Sequence, residues 1–465
     1  MSPRRRVLRP DVAQTVTTPA KAPDDARRVS LLLGLLFGLA GMGSSSAAIA
    51  LPLMAPDLGV SVGSAAWSIS LYVLMLAVTT AVYGRVSDLV GVRLPLVFGI
   101  TLMTVGAVAA ALAPTFEVLL VARLFQGAGA AAVPTLGVAA LSARYDGSVR
   151  GLALGRLAGV AAAVSCLGPL VGGLVEHAFG WRAVMALPVL GVLVLPFLWR
   201  ALVGGGTGAR LDVIGAVLVA GTAGGLVLLV QSPTSGLTIA TIGALLLILG
   251  APLVALRVRR RPHGFLPMSV IRNGVVVRSA IASASVPAAW FALLVGVPAV
   301  LVGAGWEPWE VGLLLVPSAV VALLVPRVAG PLLERVGASW CLVLAGIVAA
   351  ATLLLAALGT HLLAPVPVAL AVALATVSFG IGQPALIALV GAAVPADVRG
   401  VALGIATLLF LVGGSVGSAV VAGLGEVIGI PGSFAALAVL PALGLLFLVP
   451  DLRRDGRPGP VLDRS

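Results

Sequence analysis

The sequence is poor in charged residues: aspartate, glutamate, lysine and arginine make up 10% of its 465 positions. Soluble globular proteins typically carry about 25%. Hydrophobic residues reach 60%, and the mean hydropathy is +1.16. This composition excludes a soluble globular chain and predicts a polytopic membrane protein. The alternation of apolar and polar residues that is typical of a membrane β-barrel is lacking too.

Side chains suited to catalysis or metal binding are also few. The two cysteines, Cys166 and Cys341, fall inside apolar stretches, so neither a disulfide nor a metal pair is expected. The three histidines are scattered over loops, and the nucleotide-binding pattern G-x-x-x-x-G-K-[S/T] does not occur. We therefore expect no enzyme activity, no metal, no cofactor and no ATP-driven step.

Long apolar runs dominate what is present. A helix needs about 20 apolar residues to cross the hydrocarbon of a bilayer. Fourteen stretches of that length occur, and they predict fourteen spans at 30–54, 64–84, 94–114, 116–140, 152–175, 182–202, 213–231, 236–256, 280–303, 308–330, 338–358, 366–393, 398–423 and 433–450.

The net charge of +12 has a topological explanation. Of the 29 basic residues, 27 lie in the tails and in the loops on one side. The positive-inside rule then places both termini in the cytoplasm of a bacterial cell, with the chain in the cytoplasmic membrane, and nucleic acid is not an expected partner. The opposite loops hold one basic residue, Arg182, and six acids: Asp57, Glu117, Glu176, Glu307, Glu310 and Glu426.

Two short segments repeat at nearly the same displacement. VRGLALG (149–155) returns as VRGVALG (398–404), 249 residues later, and GRVSDLVG (84–91) is echoed by GPLLERVG (330–337), 246 residues later. The chain therefore divides into two six-helix halves with an extra helix pair between them. The predicted parts are an N-terminal tail (1–29), a first half (30–202), the extra pair with its linker (203–279), a second half (280–450) and a C-terminal tail (451–465).

Three motifs resemble signatures of the major facilitator superfamily. They are GRVSDLVGVR after span 2, ARLFQGAGA in span 4 and GRLAGVAAAVSCLGPLVGG in span 5. Their order, together with fourteen spans, resembles the drug:proton antiporter branch of that family. The resemblance implies an all-α membrane protein with the major facilitator fold, two six-helix halves plus two central extra helices.

The first and third motifs predict moving parts. Glycines allow tight turns and close helix packing, and Pro169 removes a helix hydrogen bond. The resemblance implies a gate between the halves after span 2 and an antiport element in span 5. An ordinary topogenic loop and a plain packing kink remain the alternatives. The predicted gating residues are Gly84, Asp88, Gly91, Arg93, Gly155, Gly168, Pro169, Gly172 and Gly173.

The second motif places Arg123 and Gln126 on one face of a span. A charge at that depth costs roughly 3 kcal/mol and normally faces a bundle interior or an aqueous cavity. The alternatives are that Arg123 snorkels to the interface or pairs with helix carbonyls. The resemblance implies a cavity lined by spans 1, 4, 9 and 12. Those spans carry Ser44, Ser45, Ser46, Arg123, Gln126, Ser285, Trp290, Thr376, Ser378 and Gln383.

None of the 17 acidic residues lies well inside a predicted span. Where the family often has an aspartate in span 1, this sequence has Gly43 followed by three serines. A cationic substrate in a cavity usually needs a carboxylate, so neutral or acidic compounds are expected. We predict a monomeric secondary transporter in the lipid bilayer that exports a small amphipathic molecule, with protons as a candidate coupling ion. A uniporter, an importer of a neutral or anionic solute, and a sensor that does not transport stay open as alternatives.

Overall fold

Every regular element in the described part of the chain is a helix. The structure is a computed structural model and describes residues 23–145, 147–199, 202, 212–230, 232–261, 265, 268–395 and 399–455. Thirteen of its helices are long and apolar enough to cross a membrane. The all-α membrane class predicted from composition is confirmed.

The crossings are labelled α1 to α14, and several consist of two segments joined at a bend. Short helices at Val62–Ala65 and Met268–Ile271 precede α2 and α9. The first twelve crossings are α1 (Pro23–Asp57), α2 (Trp67–Val90), α3 (Arg93–Ala111), α4 (Phe116–Ala130 and Ala132–Arg144), α5 (Gly147–Cys166 and Gly168–Phe179), α6 (Trp181–Ala186, Leu187–Val194 and Leu195–Leu198), α7 (Val213–Val230), α8 (Ser232–Arg260), α9 (Gly274–Ser283 and Ser285–Gly303), α10 (Pro308–Leu314 and Val316–Val336), α11 (Ala338–His361) and α12 (Pro365–Ala393).

The last two crossings share one continuous apolar stretch, Ala402–Pro450, of 49 residues. A straight helix of that length would be about 74 Å long, more than twice the hydrocarbon thickness. The chain reverses at Gly429, whose φ of 77° suits glycine. Helix α13 is therefore 399–428, and α14 comprises 431–437 and Val439–Asp455. The expected fourteen crossings are present, with bounds shifted by several residues; α1, for example, begins at Pro23 rather than at residue 30.

The two halves repeat the same packing. Helix α1 lies along α5 as α9 lies along α13, and α3 pairs with α4 as α11 pairs with α12. Each half also has a polar contact between two helix ends on the side of the bundle where the chain termini lie. Asp25 binds Arg144 at 2.7 Å, and Asn273 Nδ2 donates to the Ala393 carbonyl at 2.7 Å. The residues of these two links are displaced by 248 and 249 positions, close to the 249 and 246 positions of the repeated segments. The exact limits of the five predicted parts of the chain stay predictions.

The halves contact each other most extensively along two helix pairs, of which α2 with α13 is the first. Ser70 Oγ lies 2.9 Å from Ser418 Oγ, and Ser415 Oγ donates to the Ser70 carbonyl at 2.6 Å. Ser61 Oγ donates to Glu426 at 2.7 Å. All three contacts lie toward the distal side, defined as the side of the bundle opposite Pro23 and Asp455.

The second pair, α5 with α10, is also closest on the distal side. A Cβ on Gly173 would lie 2.6 Å from the Pro308 carbonyl oxygen, and one on Gly312 would lie 2.6 Å from the Pro169 carbonyl oxygen. Nearer the termini on α5, a Cβ on Gly159 would meet nothing within 4 Å. The two halves therefore touch backbone to backbone at their distal ends.

The α2–α13 and α5–α10 contacts together form the interface between the halves, called the seam below. The extra pair α7 and α8 lies outside this seam. Helix α7 contacts both α2 and α13, where Val227 packs with Leu74, Val78 and Ala419. Helix α8 packs closely on α7, since Cβ atoms on Gly225 and Gly243 would clash with the facing backbone. Its outer surface is open, with 6% of its apolar window buried. The pair thus covers one flank of the seam and presents α8 to lipid.

We expect Gly173→Val to open the distal seam. The added side chain meets the Pro308 backbone, and overpacking costs about 1–3 kcal/mol, enough to shift a closed-to-open ratio about fivefold or more. Cysteines at Ser61 and Glu426, with Cys166 and Cys341 replaced by serine, would report closure as disulfide yield. The yield should fall in Gly173→Val and stay unchanged in Gly159→Val, which has open space. Equal yields in both variants would contradict close distal packing.

Candidate functional site

Arg123 lies on the first segment of α4 and has no exposed surface. Its Nε donates to the Ser68 carbonyl of α2 at 2.9 Å. Its Nη1 donates to the Gly43 carbonyl of α1 at 2.8 Å and to Gln126 Oε1 at 2.7 Å. Charged donors form strong hydrogen bonds to carbonyl oxygens, so the guanidinium joins three helices of the first half.

An aromatic ring completes this environment. The Arg123 guanidinium carbon lies 4.4 Å from the centroid of the Tyr72 ring, a cation–π geometry. The Tyr72 hydroxyl donates to the Ala40 carbonyl at 2.6 Å. Small residues make this close approach possible, because a Cβ on Gly127 would collide with the Tyr72 backbone and one on Gly43 would lie 3.2 Å from the Tyr72 hydroxyl. Nη2 of Arg123 and Nε2 of Gln126 are buried without a hydrogen-bond partner.

A separate cleft lies between the two halves. Its walls come from α1 and α5 on one side and from α9, α10 and α12 on the other. Neither Arg123 nor Gln126 is among its lining residues. Those residues are Ser45, Ser165, Cys166, Pro169, Trp290, Leu293, Leu294, Leu315, Ser318 and Val372.

The polar groups of the cleft are hydroxyls and a thiol. Ser45 Oγ donates across the first half to the Ser165 carbonyl at 2.8 Å, and Ser318 Oγ donates to the Leu315 carbonyl at 2.6 Å. The buried Cys166 thiol lines the same cleft and packs with Ala319 and Ala322 of α10. Each hydroxyl retains lone pairs that can accept a further hydrogen bond. Among the residues described along the cleft, none carries a charge.

Trp290 is the one aromatic residue among the described residues that line the cleft. Its ring lies 6.3 Å from that of Phe379 at an angle of 55°, and Phe379 in turn meets Phe410 edge to face at 5.3 Å. This chain of aromatic rings holds the indole in a fixed orientation. A flat apolar face beside several hydroxyls suits an amphipathic molecule.

The glycines predicted in span 5 have different surroundings. Cβ atoms on Gly168 and Gly172 would clash with Ser45 and Ser46 of α1, whereas Gly173 meets α10. Gly155 has open space. Pro169 begins the second segment of α5 and lines the cleft itself. The segment 168–173 therefore joins α1, the cleft and the distal seam.

The residues predicted after span 2 stay within the first half where the structure describes them. Gly91 ends α2 with a φ of 78°, and a Cβ on Gly84 would lie 3.6 Å from Thr135. The guanidinium carbon of Arg93 lies 3.6 Å from the centroid of the ring of Trp199, the residue that follows α6. The side chain of Asp88 and residues 396–398, which precede α13, lie outside what is described, so the proposed gate there stays a prediction.

The remaining predicted cavity residues mostly bond to helix carbonyls. Ser44 donates to Gly41, Ser46 to Met42, and Ser285 to Ala282, each within its own helix or at its bend. Ser378 donates to Ala345 of α11, and Gln383 is half-buried on α12. Sequence reasoning placed Ser45 and Trp290 near the cleft but missed Ser165, Cys166 and Ser318. The sequence signal that could have identified these three residues is a small polar side chain within span 5 or span 10, next to a proline or an apolar run.

A family model described as Major Facilitator Superfamily matches residues 33–329 and 279–462 of the chain. Among curated proteins, the chain is 31% identical to Multidrug resistance protein Stp of Mycobacterium tuberculosis over 303 residues, which cover 62% of this chain and 56% of that protein. It is 26% identical to the uncharacterized transporter YebQ of Escherichia coli over 67% of this chain and 70% of that one. The match thus spans little more than half the length of Stp.

Solved structures share the fold at low identity. A transporter of the POT family in complex with 5-aminolevulinic acid superposes with a TM-score of 0.69 and 14% identity, over 93% of this chain and 97% of that one. A second POT family complex, with a thioalcohol-conjugated peptide, gives 0.68 at 14% identity over the same shares.

We expect Arg123→Ala to destabilise the protein. Hydrogen bonds to a charged group contribute about 1.5–3 kcal/mol each, and the three from Arg123 exceed the roughly 3 kcal/mol saved by removing a buried charge. The midpoint of thermal unfolding in detergent should fall, while Arg150→Ala, at an exposed arginine of α5, should leave it unchanged. Equal midpoints for the wild type and Arg123→Ala would show that the guanidinium is not a structural tie.

Proposed function

Because this chain belongs to the major facilitator superfamily and is a multi-pass membrane transporter, we propose that it exports a small amphipathic compound by alternating access. The observation that carries the proposal is the uncharged cleft between the two halves, with hydroxyls on both walls and Trp290 beside them. The name of the Mycobacterium tuberculosis relative, a multidrug resistance protein, supports export of an antibiotic or metabolite.

The chemistry of the cleft favours neutral or acidic substrates. An unpaired cation in a site of low dielectric constant is strongly disfavoured unless a carboxylate or an aromatic cage compensates it. The described cleft residues offer hydroxyls, a thiol and one indole. Carbonyl, hydroxyl and amide groups on an apolar molecule would find hydrogen bonds there. A single indole face would stabilise a cation by about 0.5–2 kcal/mol, which leaves it the weaker substrate class.

The conformation supports an inward-facing step of the cycle. With both termini in the cytoplasm, as the charge asymmetry predicts, the distal side is external. The serine contacts of Ser70 with Ser415 and Ser418, and the glycine contacts of α5 with α10, then close the external end. Export requires these contacts to break. We propose the proton gradient as the energy source, in line with the resemblance to drug:proton antiporters.

Arg123 has a positioning role in this scheme. Its bond to the Gly43 carbonyl lies two residues before Ser45, whose hydroxyl bridges α1 to α5 beside the cleft. Holding α1 at this point orients the serine run 44–46 relative to α5. The proposal that Arg123 and Gln126 matter for transport therefore rests on helix placement.

Transport in inverted membrane vesicles would test the proposal. We expect a fluorescent neutral or acidic antibiotic to accumulate inside vesicles that contain the protein when their interior is acidified. Accumulation should vanish when a protonophore removes the gradient. If the antibiotic equilibrates across the membrane regardless of the proton gradient, the protein is a uniporter. Accumulation only in vesicles of the opposite orientation would indicate an importer. No flux of any compound would favour the sensor that does not transport.

A resistance panel would test the cleft itself. In a host without major efflux pumps, the protein should protect against neutral and acidic antibiotics more than against quaternary ammonium compounds. Ser318→Ala should reduce protection, since one lost hydrogen bond of about 0.5–1.5 kcal/mol weakens binding roughly two- to tenfold. Ser339→Ala, at a buried serine of α11 outside the cleft, is the control. Protection against the cations alone, abolished by Trp290→Ala, would contradict the charge preference.

A further inference from the structure

A second pocket lies between α7 and α8 at their ends nearest the termini, away from the cleft and the seam. The walls are mostly aliphatic, with one acid and two arginines. They consist of Asp212, Gly215, Leu218, Val219, Val254, Arg257, Val258, Arg261 and Phe265.

The single acid of this pocket is already fully engaged. Arg257 binds Asp212 Oδ1 at 2.6 Å, and the backbone N–H of Gly215 donates to the same oxygen at 3.1 Å. The backbone N–H of Phe265 donates to Oδ2 at 3.1 Å. These hydrogen bonds, led by that from Arg257, lower the pKa of Asp212, so it stays ionised as the partner of Arg257.

The remaining positive charge of the pocket is therefore not balanced. Arg261 follows Arg257 by four residues, one helical turn, and lines the same pocket. Arg259 and Arg260 are exposed beside it. Arg261 thus lines the pocket without an acid of its own, because Asp212, the one acid among the described lining residues, is bound to Arg257.

The position of the pocket indicates what an anionic ligand would be attached to. Helix α8 is the least buried of the candidate spans, and its residues Leu253 and Leu256, one turn before the arginines, are 47% and 43% exposed. An apolar helix surface that leads directly to a cluster of arginines fits a molecule with an acyl chain and a phosphate group. A soluble anion without an acyl chain would make no apolar contact with the aliphatic wall.

We propose that this pocket binds an anionic phospholipid. Its phosphate would accept hydrogen bonds from Arg261, with Arg259 and Arg260 nearby, and one acyl chain would lie along the exposed face of α8. Basic pockets between transmembrane helices are suited to anionic headgroups, and guanidinium groups bind phosphate through paired N–H donors. Because α7 packs on both halves, such a lipid would fasten the extra helix pair to the bundle. The proposal does not depend on which compound is transported.

Native mass spectrometry of the full-length protein in neutral detergent would test this, with phosphatidylglycerol and phosphatidylcholine of identical chains as probes. Phosphatidylglycerol should bind more tightly, and Arg261→Gln should weaken it roughly fivefold without affecting phosphatidylcholine. Val254→Phe, which fills the pocket and keeps its charge, should weaken it as well. Arg399→Gln, at an exposed arginine on the same side at the start of α13, should have no effect.

Equal binding of the two lipids to the wild type would overturn the proposal. An equal loss in Arg399→Gln and Arg261→Gln would also overturn it, since any arginine on that side would then serve. Displacement of phosphatidylglycerol by millimolar inorganic phosphate would show a site for a soluble anion instead. If gel filtration shows that Val254→Phe does not fold, the Arg261→Gln variant and the phosphate competition still test whether the pocket binds an anionic phospholipid.

Discussion

A guanidinium group without exposed surface must satisfy its donors inside the bundle, and this constraint organises the first half of the protein. Arg123 does so in part: its Nε and Nη1 bind carbonyl oxygens of α2 and α1 and the guanidinium lies beside the Tyr72 ring, while Nη2 has no hydrogen-bond partner. In a bilayer, lipid tails are as apolar as leucine, so helices gain little by burying apolar side chains against each other. Directed bonds from a charged group therefore contribute much of what fixes α1 relative to α4. The placement of Ser45 at the central cleft follows from that.

Close packing of small residues supplies the rest of the attachment, and it is used differently within a half and between halves. Within the halves, glycines such as Gly129 and Gly413 bring helix backbones together along much of a helix. Between the halves, close contacts occur at the distal end, through Gly173, Gly312 and a few serine hydroxyls. A seam built from a few weak, directed contacts can open at modest cost, whereas the extended contacts keep each half rigid. The proposed alternating access needs this difference.

The cleft between the halves has a chemistry that sets this chain apart from transporters with a carboxylate in the first span. Its walls present hydroxyls of both halves, the Cys166 thiol and the Trp290 ring. Weak hydrogen bonds and an apolar surface bind many molecules of the right size without demanding one arrangement of charges. Such a site is the basis of the proposed preference for neutral amphipathic compounds.

Composition, apolar run length and the 249-residue repeat by themselves determined the membrane class, the fourteen crossings and the two halves, because helix length and hydropathy are local properties that a bilayer enforces. Sequence also singled out Ser45 and Trp290, as polar or aromatic residues in spans expected at the centre. Only the tertiary structure decided that Arg123 binds helix carbonyls away from the cleft, and that Cys166 and Ser318 line it. A residue on a transmembrane helix can face lipid, another helix or a cavity, and the hydropathy of the sequence does not distinguish these three surroundings. Which it faces depends on the rotation and bend of the helix, and those are set by contacts with residues far away in the chain.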